Sequence, residues 1–119
     1  MKHDMELIRQ ILLEVQEHPG ERVLGLEIPG YAPDDIFSHV ELLLEQGHIK
    51  GILVAEAVQP RAVLPRGLTW KGHKLLDHLR NETVWAKFRQ LVAGQEGSVS
   101  LAVAQKLLAN IAKSVVGLS

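Results

Sequence analysis

The stretch from residue 33 to residue 68 changes from helical to strand periodicity at a single glycine. Pro33 and two aspartates begin an amphipathic segment in which apolar side chains recur at helical spacing, and Gly47 follows its last turn. Proline suits the first turn of a helix, acidic residues complement the positive end of its dipole, and glycine suits the residue beyond its C-terminus. The pattern therefore predicts a helix over about 33–46.

Two segments rich in β-branched and apolar residues come next. The first extends from Ile49 to Val58, residues 59–61 form a turn, and the second extends from Ala62 to Leu68. This arrangement predicts a β-hairpin. Pro65 has no N–H to donate to a ladder, so we expect its strand to lie at a sheet edge or to be locally irregular.

The remaining chain predicts four more helices and one short strand. The expected helices are 5–17, 69–80, 82–93 and a last one that Ser98 or Ser100 begins and that reaches about Val116, and the short strand is Val23–Ile28. Thr69 and Asn81 are the expected N-caps of the third and fourth helices. The side chains expected to point inward from these two helices are Trp70, Leu75, Leu76 and Leu79, and Val84, Trp85, Phe88, Leu91 and Val92.

The order of these elements is close to that of a winged helix-turn-helix, in which the helix before the hairpin is the recognition helix. The run from residue 39 to residue 49 resembles the recognition helix and wing of arsenic-repressor-type winged helices, with matched positions His39, Val40, Leu43, Gly47 and Ile49. The resemblance implies an α+β, mainly α fold: a winged-helix-like core with added C-terminal helices. Residues 23–32 offer only a strand and a Pro-Gly turn, so the first helix of the motif appears truncated.

A broader resemblance covers almost the whole chain. The segments that carry it are Met5–Arg9, Gly30-Tyr31, Leu68–His73 and Thr83–Trp85. They are similar to an uncharacterised winged-helix family, domain-of-unknown-function family 2513, whose members often occur in phage and prophage genomes. The resemblance implies a fold and a genomic setting but no activity. Within the third segment, packing explains both a threonine that caps a helix and a glycine, Gly72, that permits close backbone approach.

The charges are unevenly distributed along the chain. Residues 1–48 hold three bases and ten acids, whereas the remaining residues hold ten bases and four acids. The formal net charge is only -1, so no global positive field attracts the chain to a polyanion. Any contact with nucleic acid must come from local charge.

The hairpin and the residues that follow it carry more positive than negative charge. We predict a DNA-binding transcriptional regulator whose basic wing contacts the backbone of double-stranded DNA. The predicted contact residues are Ser38 and His39 on the helix 33–46 and the cations Lys50, Arg61, Arg66 and Lys71. The same cations are equally expected to keep the hairpin edge soluble.

A second hypothesis starts from the acids of the helix 33–46. Its exposed positions are expected to be Asp34, Asp35, Ser38, His39, Glu41, Glu45 and in part Leu42, which include no lysine or arginine. Acids there repel the phosphates beside a major groove. The alternative function is a non-enzymatic protein interaction module that presents this acidic helix to a basic host or phage protein. Both hypotheses remain open.

The last helix has an apolar seam at three-four spacing, consisting of Leu101, Ala104, Leu108, Ile111 and Val115. Such a seam must be buried against the first helix of the same chain or against a second copy. We favour a homodimer, with these five residues as its interface. The expected organisation is a winged-helix domain with following helices over 1–97 and a C-terminal helix over 98–119.

Several classes of site and location are not expected. The absence of cysteine excludes a thiolate nucleophile and a Cys-ligated metal. His73 and Asp77 share a helix face, but two ligands do not make a zinc site. The sequence has no phosphate-binding loop, paired carboxylates or catalytic triad spacing, so we predict no enzymatic activity, cofactor or metal. Without an apolar run long enough for a membrane span or a secretory signal, we expect a cytoplasmic protein.

Overall fold

In the computed structural model, five helices and one two-stranded sheet occur within the described residues, which are 4–18, 28–54, 62–94 and 99–116. Side chains are described except at 52–54, 62–66 and 116. The elements are α1 (Met5–Glu17), α2 (Pro33–Glu45), β1 (Ile49–Val54), β2 (Ala62–Leu68), α3 (Trp70–Arg80), α4 (Glu82–Leu91) and α5 (Leu101–Val116). The chain is mainly helical with a small sheet, as the sequence predicts.

Most predicted element boundaries agree with the structure to within two residues. The predicted strand Val23–Ile28 lies outside the described residues except for Ile28, which is buried but is not in a strand. The predicted turn at 59–61 also lies outside them. The structure divides into two compact units, Glu6–His73 and Met1–Met5 with Lys74–Ser119. The predicted division into 1–97 and 98–119 stays a prediction.

The unit Glu6–His73 buries helix faces that the sequence marks by apolar spacing. In α1, Leu7, Ile8, Ile11 and Leu12 are fully buried. In α2, the buried apolar residues are one turn apart, and this helix packs against both strands. Burial of such side chains contributes about 1.5–3 kcal/mol each relative to exposure, so the two helices supply much of the core of this unit.

The two antiparallel strands change register next to Pro65. Ile49 pairs with Leu68 and Lys50 with Gly67, but the next residue of β1 pairs with Pro65. Arg66 is therefore the extra residue of a bulge, and Gly67 takes the positive φ of +150° that a side chain would disfavour. The prediction of a local irregularity at Pro65 is confirmed.

The second unit owes its helix ends to local capping. The Asn81 side chain accepts hydrogen bonds from the backbone N–H groups of Thr83 and Val84, at 3.0 and 3.1 Å. The Ser100 hydroxyl accepts one from Val103 N at 3.2 Å. Both predicted caps are thus confirmed, with Ser100 rather than Ser98 at the start of α5. Helices α4 and α5 pack against each other.

Candidate functional site

The end of α2 and the start of β1 are joined by a tight glycine turn. Gly47 has φ +81°, its N–H donates to the Leu44 carbonyl at 3.2 Å, and the N–H of His48 donates to the Leu43 carbonyl at 2.8 Å. These two bonds form a Schellman motif, which satisfies the last carbonyls of the helix. The turn places His48 at 0% exposure in the core immediately before the first strand.

Thr69 connects this turn to the start of α3. Its backbone N–H donates to the His48 carbonyl at 3.1 Å, and its hydroxyl donates to the Gly47 carbonyl at 2.6 Å. The same hydroxyl accepts a hydrogen bond from Gly72 N at 3.0 Å, which is the expected N-cap interaction. The prediction that Thr69 caps this helix is confirmed.

Gly72 is required by the close approach of α3 to the turn. A Cβ added at this position would overlap the carbonyl oxygen of His48. The prediction that Gly72 permits close backbone packing is confirmed. The backbone of α3 is therefore held directly against the end of α2.

Lys71 adds a third link between α3 and the end of α2. Its exposed Nζ donates to the Gln46 carbonyl at 2.8 Å. A lysine ammonium near the C-terminus of a helix also complements the negative end of the helix dipole. Lys71 therefore has a structural role, and its remaining N–H donors are available to a ligand.

Three residues at the start of β1 and of α3 have exposed side chains, and we call them the hairpin-base cluster: Lys50, Trp70 and Lys71. Lys50 is the second residue of β1, and Trp70 is the first residue of α3. The indole of Trp70 is 79% exposed, so the prediction that it points inward is wrong. The buried residues of α3 recur at positions 72, 75, 76 and 79, and Trp70 lies on the other side of the helix.

The two DNA contacts predicted on α2, Ser38 and His39, are not fully exposed side chains in the structure. The prediction that His39 is exposed is wrong, because its side chain is 2% exposed and its Nδ1 donates to the Asp35 carbonyl at 2.7 Å. This bond satisfies the ring within the helix, which allows the ring to be buried. Ser38 is half-buried, and its hydroxyl donates to the Asp34 carbonyl at 2.9 Å. Neither side chain projects freely from the helix.

The exposed surface of α2 is acidic. Asp34, Asp35 and Glu45 are exposed, and Glu41 is half-buried. No lysine or arginine occurs in Pro33–Glu45. The surface expected of a recognition helix therefore presents carboxylates.

The other two predicted wing cations have less structural description. Arg61 lies outside the described residues, and for Arg66 only the backbone is described, at the bulge. Their predicted role in binding DNA stays a prediction. The hairpin-base cluster is the part of the predicted wing surface whose geometry is described.

The structure does not test the predicted homodimer, which stays a prediction. The seam is already covered within a single chain, where Leu101, Ala104, Leu108 and Ile111 are 8% exposed or less. Only Val115 is intermediate in exposure. Because α4 packs against α5, the seam belongs to the core of the monomer.

Titratable groups of α3 lie along the helix surface. His73 and Asp77 are exposed, and no group of three potential ligands for a metal ion occurs among the residues that the structure describes. Burial lowers the pKa of His78, an effect that Asp77 opposes and Lys74 reinforces. In the described part of the chain, no helix is both long and apolar enough to cross a membrane.

Comparisons with known proteins bear on most of the chain. The family model described as Hypothetical protein (DUF2513) matches residues 2–99. A Haemophilus influenzae protein named "Uncharacterized protein" is 32% identical over 103 residues, which cover 85% of this chain and 86% of the relative. No solved structure matches this chain. These similarities indicate common ancestry without naming a ligand or a reaction.

Proposed function

The chain belongs to the family described as Hypothetical protein (DUF2513), and we propose that it is a winged-helix protein that binds double-stranded DNA as a transcriptional regulator. The order α2, β1, β2, α3 supports this proposal, because a helix followed by a two-stranded hairpin is the reading unit of winged helices. We propose binding rather than catalysis because the sequence has no catalytic motif.

The hairpin-base cluster is the single observation that carries the proposal. Two exposed lysines and an exposed indole lie at the start of β1 and of α3, within three residues of the pair Ile49–Leu68 along the chain. Ammonium groups bind phosphate oxygens, and an apolar ring beside them offers a surface to sugars or bases.

The acidic α2 fixes which part of the unit faces DNA in this proposal. Exposed carboxylates at Asp34 and Asp35 lie on the first turn, the part of a recognition helix that normally contacts base edges. Those charges repel phosphates, so the hairpin base and not α2 approaches the duplex. Binding is then weak and dominated by backbone contacts.

Lys50→Met tests the proposal, because methionine keeps the apolar stem and removes one positive charge. We expect this variant to weaken binding of a random-sequence duplex about tenfold at low salt, measured by fluorescence anisotropy. Lys113→Met is the matched control, because it removes an exposed cation from α5. Equal losses in the two variants would show non-specific attraction and contradict a site at the hairpin base.

A second candidate function is a protein interaction module that binds a basic partner through α2. The observation in its favour is the exposed acidic surface without a cation on the same helix. Glu45→Gln separates the two candidates, since Glu45 is exposed at the end of α2 next to the residue that Lys71 contacts. DNA binding at the hairpin base becomes tighter when this negative charge is removed, whereas binding of a basic partner becomes weaker.

The genomic setting and location remain predictions. We propose that the protein acts in the cytoplasm, in the phage-associated regulation that the resemblance suggests. Recovery of a host or phage protein with wild type, but not with Asp34→Asn combined with Asp35→Asn, would support the second candidate.

A further inference from the structure

A groove between α4 and α5 is a surface feature that DNA binding at the hairpin base does not use. Its volume is about 550 Å³, within the range of roughly 300–1,000 Å³ typical of binding pockets. Leu91, Leu107 and Ile111 provide its apolar lining, and Lys87 and Asn110 are among its polar residues. All of these residues belong to the unit that includes Lys74–Ser119.

The groove exposes apolar side chains that packing in the monomer leaves uncovered. Leu91 is 61% exposed, although α4 otherwise buries Val84 and Phe88 at 1% each. The prediction that Leu91 points inward is therefore wrong. On α5, Leu107 is only half-buried. A partner that covers these leucines gains the free energy of removing apolar surface from water.

Apart from Glu82 in the first turn of α4, the charged residues of the two helices are cations. Residues 83–94 and 99–116 include no aspartate or glutamate. They include four cations, of which Lys87 lines the groove and the others are Arg89, Lys106 and Lys113. An apolar groove that includes Lys87, on helices whose other charges are mainly cationic, is complementary to an apolar segment bordered by acids.

On α5 the lining residues are Leu107, Asn110, Ile111 and Ser114, which recur at i, i+3, i+4 and i+7. They span about 10 Å at a rise of about 1.5 Å per residue, the length of two helical turns. A groove of this length accommodates two turns of an amphipathic helix, whose apolar anchors recur at i, i+3, i+4 and i+7.

We propose that the α4–α5 groove binds an amphipathic helical segment of another protein, with leucine-like anchors flanked by aspartate or glutamate. A second copy of this chain fits less well, because a symmetric contact would bring Lys87 and the α5 lysines together with their like-charged counterparts. A membrane surface fits less well too, because Lys87 is the single cation in the lining and anionic lipid attracts faces rich in lysine and arginine.

Two designed peptides of equal length test the proposal. Both carry leucine at i, i+3, i+4 and i+7, and the flanking positions are glutamate in one and lysine in the other. We expect the full-length protein to bind the acidic peptide at least about tenfold more tightly than the basic one, measured by fluorescence anisotropy. Leu91→Ser should weaken binding of the acidic peptide, and Lys87→Glu should reverse the preference between the peptides. Lys74→Glu is the charge-matched control on α3 and should leave both affinities unchanged.

The contrary outcomes are distinct. Equal affinity for the two peptides, or affinities that Leu91→Ser and Lys87→Glu leave unchanged while circular dichroism shows folded protein, would overturn the proposal. Binding to vesicles of anionic phospholipid without binding to the acidic peptide would assign the groove to a membrane surface. Sedimentation that shows a dimer dissociated by Leu91→Ser would assign it to a second copy. None of these results bears on duplex binding at the hairpin base.

Discussion

Residue 72 has no room for a side chain. In a helix with free space around the glycine, replacement of glycine by alanine stabilises the folded protein by roughly 0.5–1 kcal/mol, because the unfolded chain loses conformational freedom. In α3 the added methyl would overlap the His48 carbonyl, which belongs to the backbone of the glycine turn. We therefore expect Gly72→Ala to destabilise the protein by about 1–3 kcal/mol, measured by urea unfolding. A stability equal to or above that of wild type would contradict the close contact.

At the residue scale, local chemistry could be predicted better than exposure. Thr69 and Asn81 can be predicted as caps because a cap depends on neighbours within three residues. The sequence predicts His39 on the exposed side of α2, yet its side chain is 2% exposed and its ring nitrogen bonds within the helix. The sequence predicts Trp70 among the inward residues of α3, although the positions of the buried α3 residues place it on the other face. In both cases the position of the residue on its helix decides whether its side chain is exposed, and for His39 a hydrogen bond within the helix contributes.

Helix α3 makes stability depend on pH through His78. Burial lowers the pKa of His78 from its ordinary value of 6.5, so between the lowered pKa and 6.5 the unfolded chain binds more protons than the folded chain. The stabilisation that depends on a neutral His78 is complete above this window and is lost as the pH falls through it. We expect His78→Gln to reduce this loss, measured as the difference in unfolding free energy between pH 8 and pH 5.

The control for this prediction lies on the same helix. His73 is exposed, so His73→Gln removes an imidazole from α3 without changing the buried group. We expect this variant to keep the wild-type dependence on pH. If His73→Gln reduced the acid sensitivity and His78→Gln did not, the effect of burial on His78 would be refuted.

Helix α5 stabilises the monomer through its seam. Leu108 is fully buried, and its replacement by alanine leaves a cavity, so we expect Leu108→Ala to cost about 2–5 kcal/mol in unfolding free energy. Val103→Ala is the control, because Val103 is 50% exposed and its loss should change stability by no more than about 0.5 kcal/mol. The thermal midpoint of wild type should not depend on protein concentration. A midpoint that rises with concentration would instead indicate a dimer that covers the seam.

At the element scale, periodicity predicts which side of a helix is buried but not what covers it. The apolar repeat of α5 is compatible with a second copy or with the same chain, and α4 is the neighbour that the structure shows. Gly47 and Pro65 could be read as a helix stop and a strand irregularity because backbone geometry restricts both residue types. The basic groove beside α5 could not be predicted, since it depends on how two helices separated in sequence pack together.

The whole molecule has a polarised charge, and this sets how duplex binding should respond to salt. The first 48 residues hold ten of the fourteen acids, so attraction to DNA comes from a few local cations and not from the net charge. With about two to four phosphate contacts, the plot of log affinity against log salt should have a slope of roughly -2 to -4, at about 0.9 per contact.

Lys50→Met should reduce the magnitude of the slope by about 1, because one counterion fewer is released. Asp34→Asn should raise the affinity with little change in slope, since it removes a repulsion and adds no phosphate contact. A slope that is the same in Lys50→Met and wild type would exclude Lys50 from the contact with DNA.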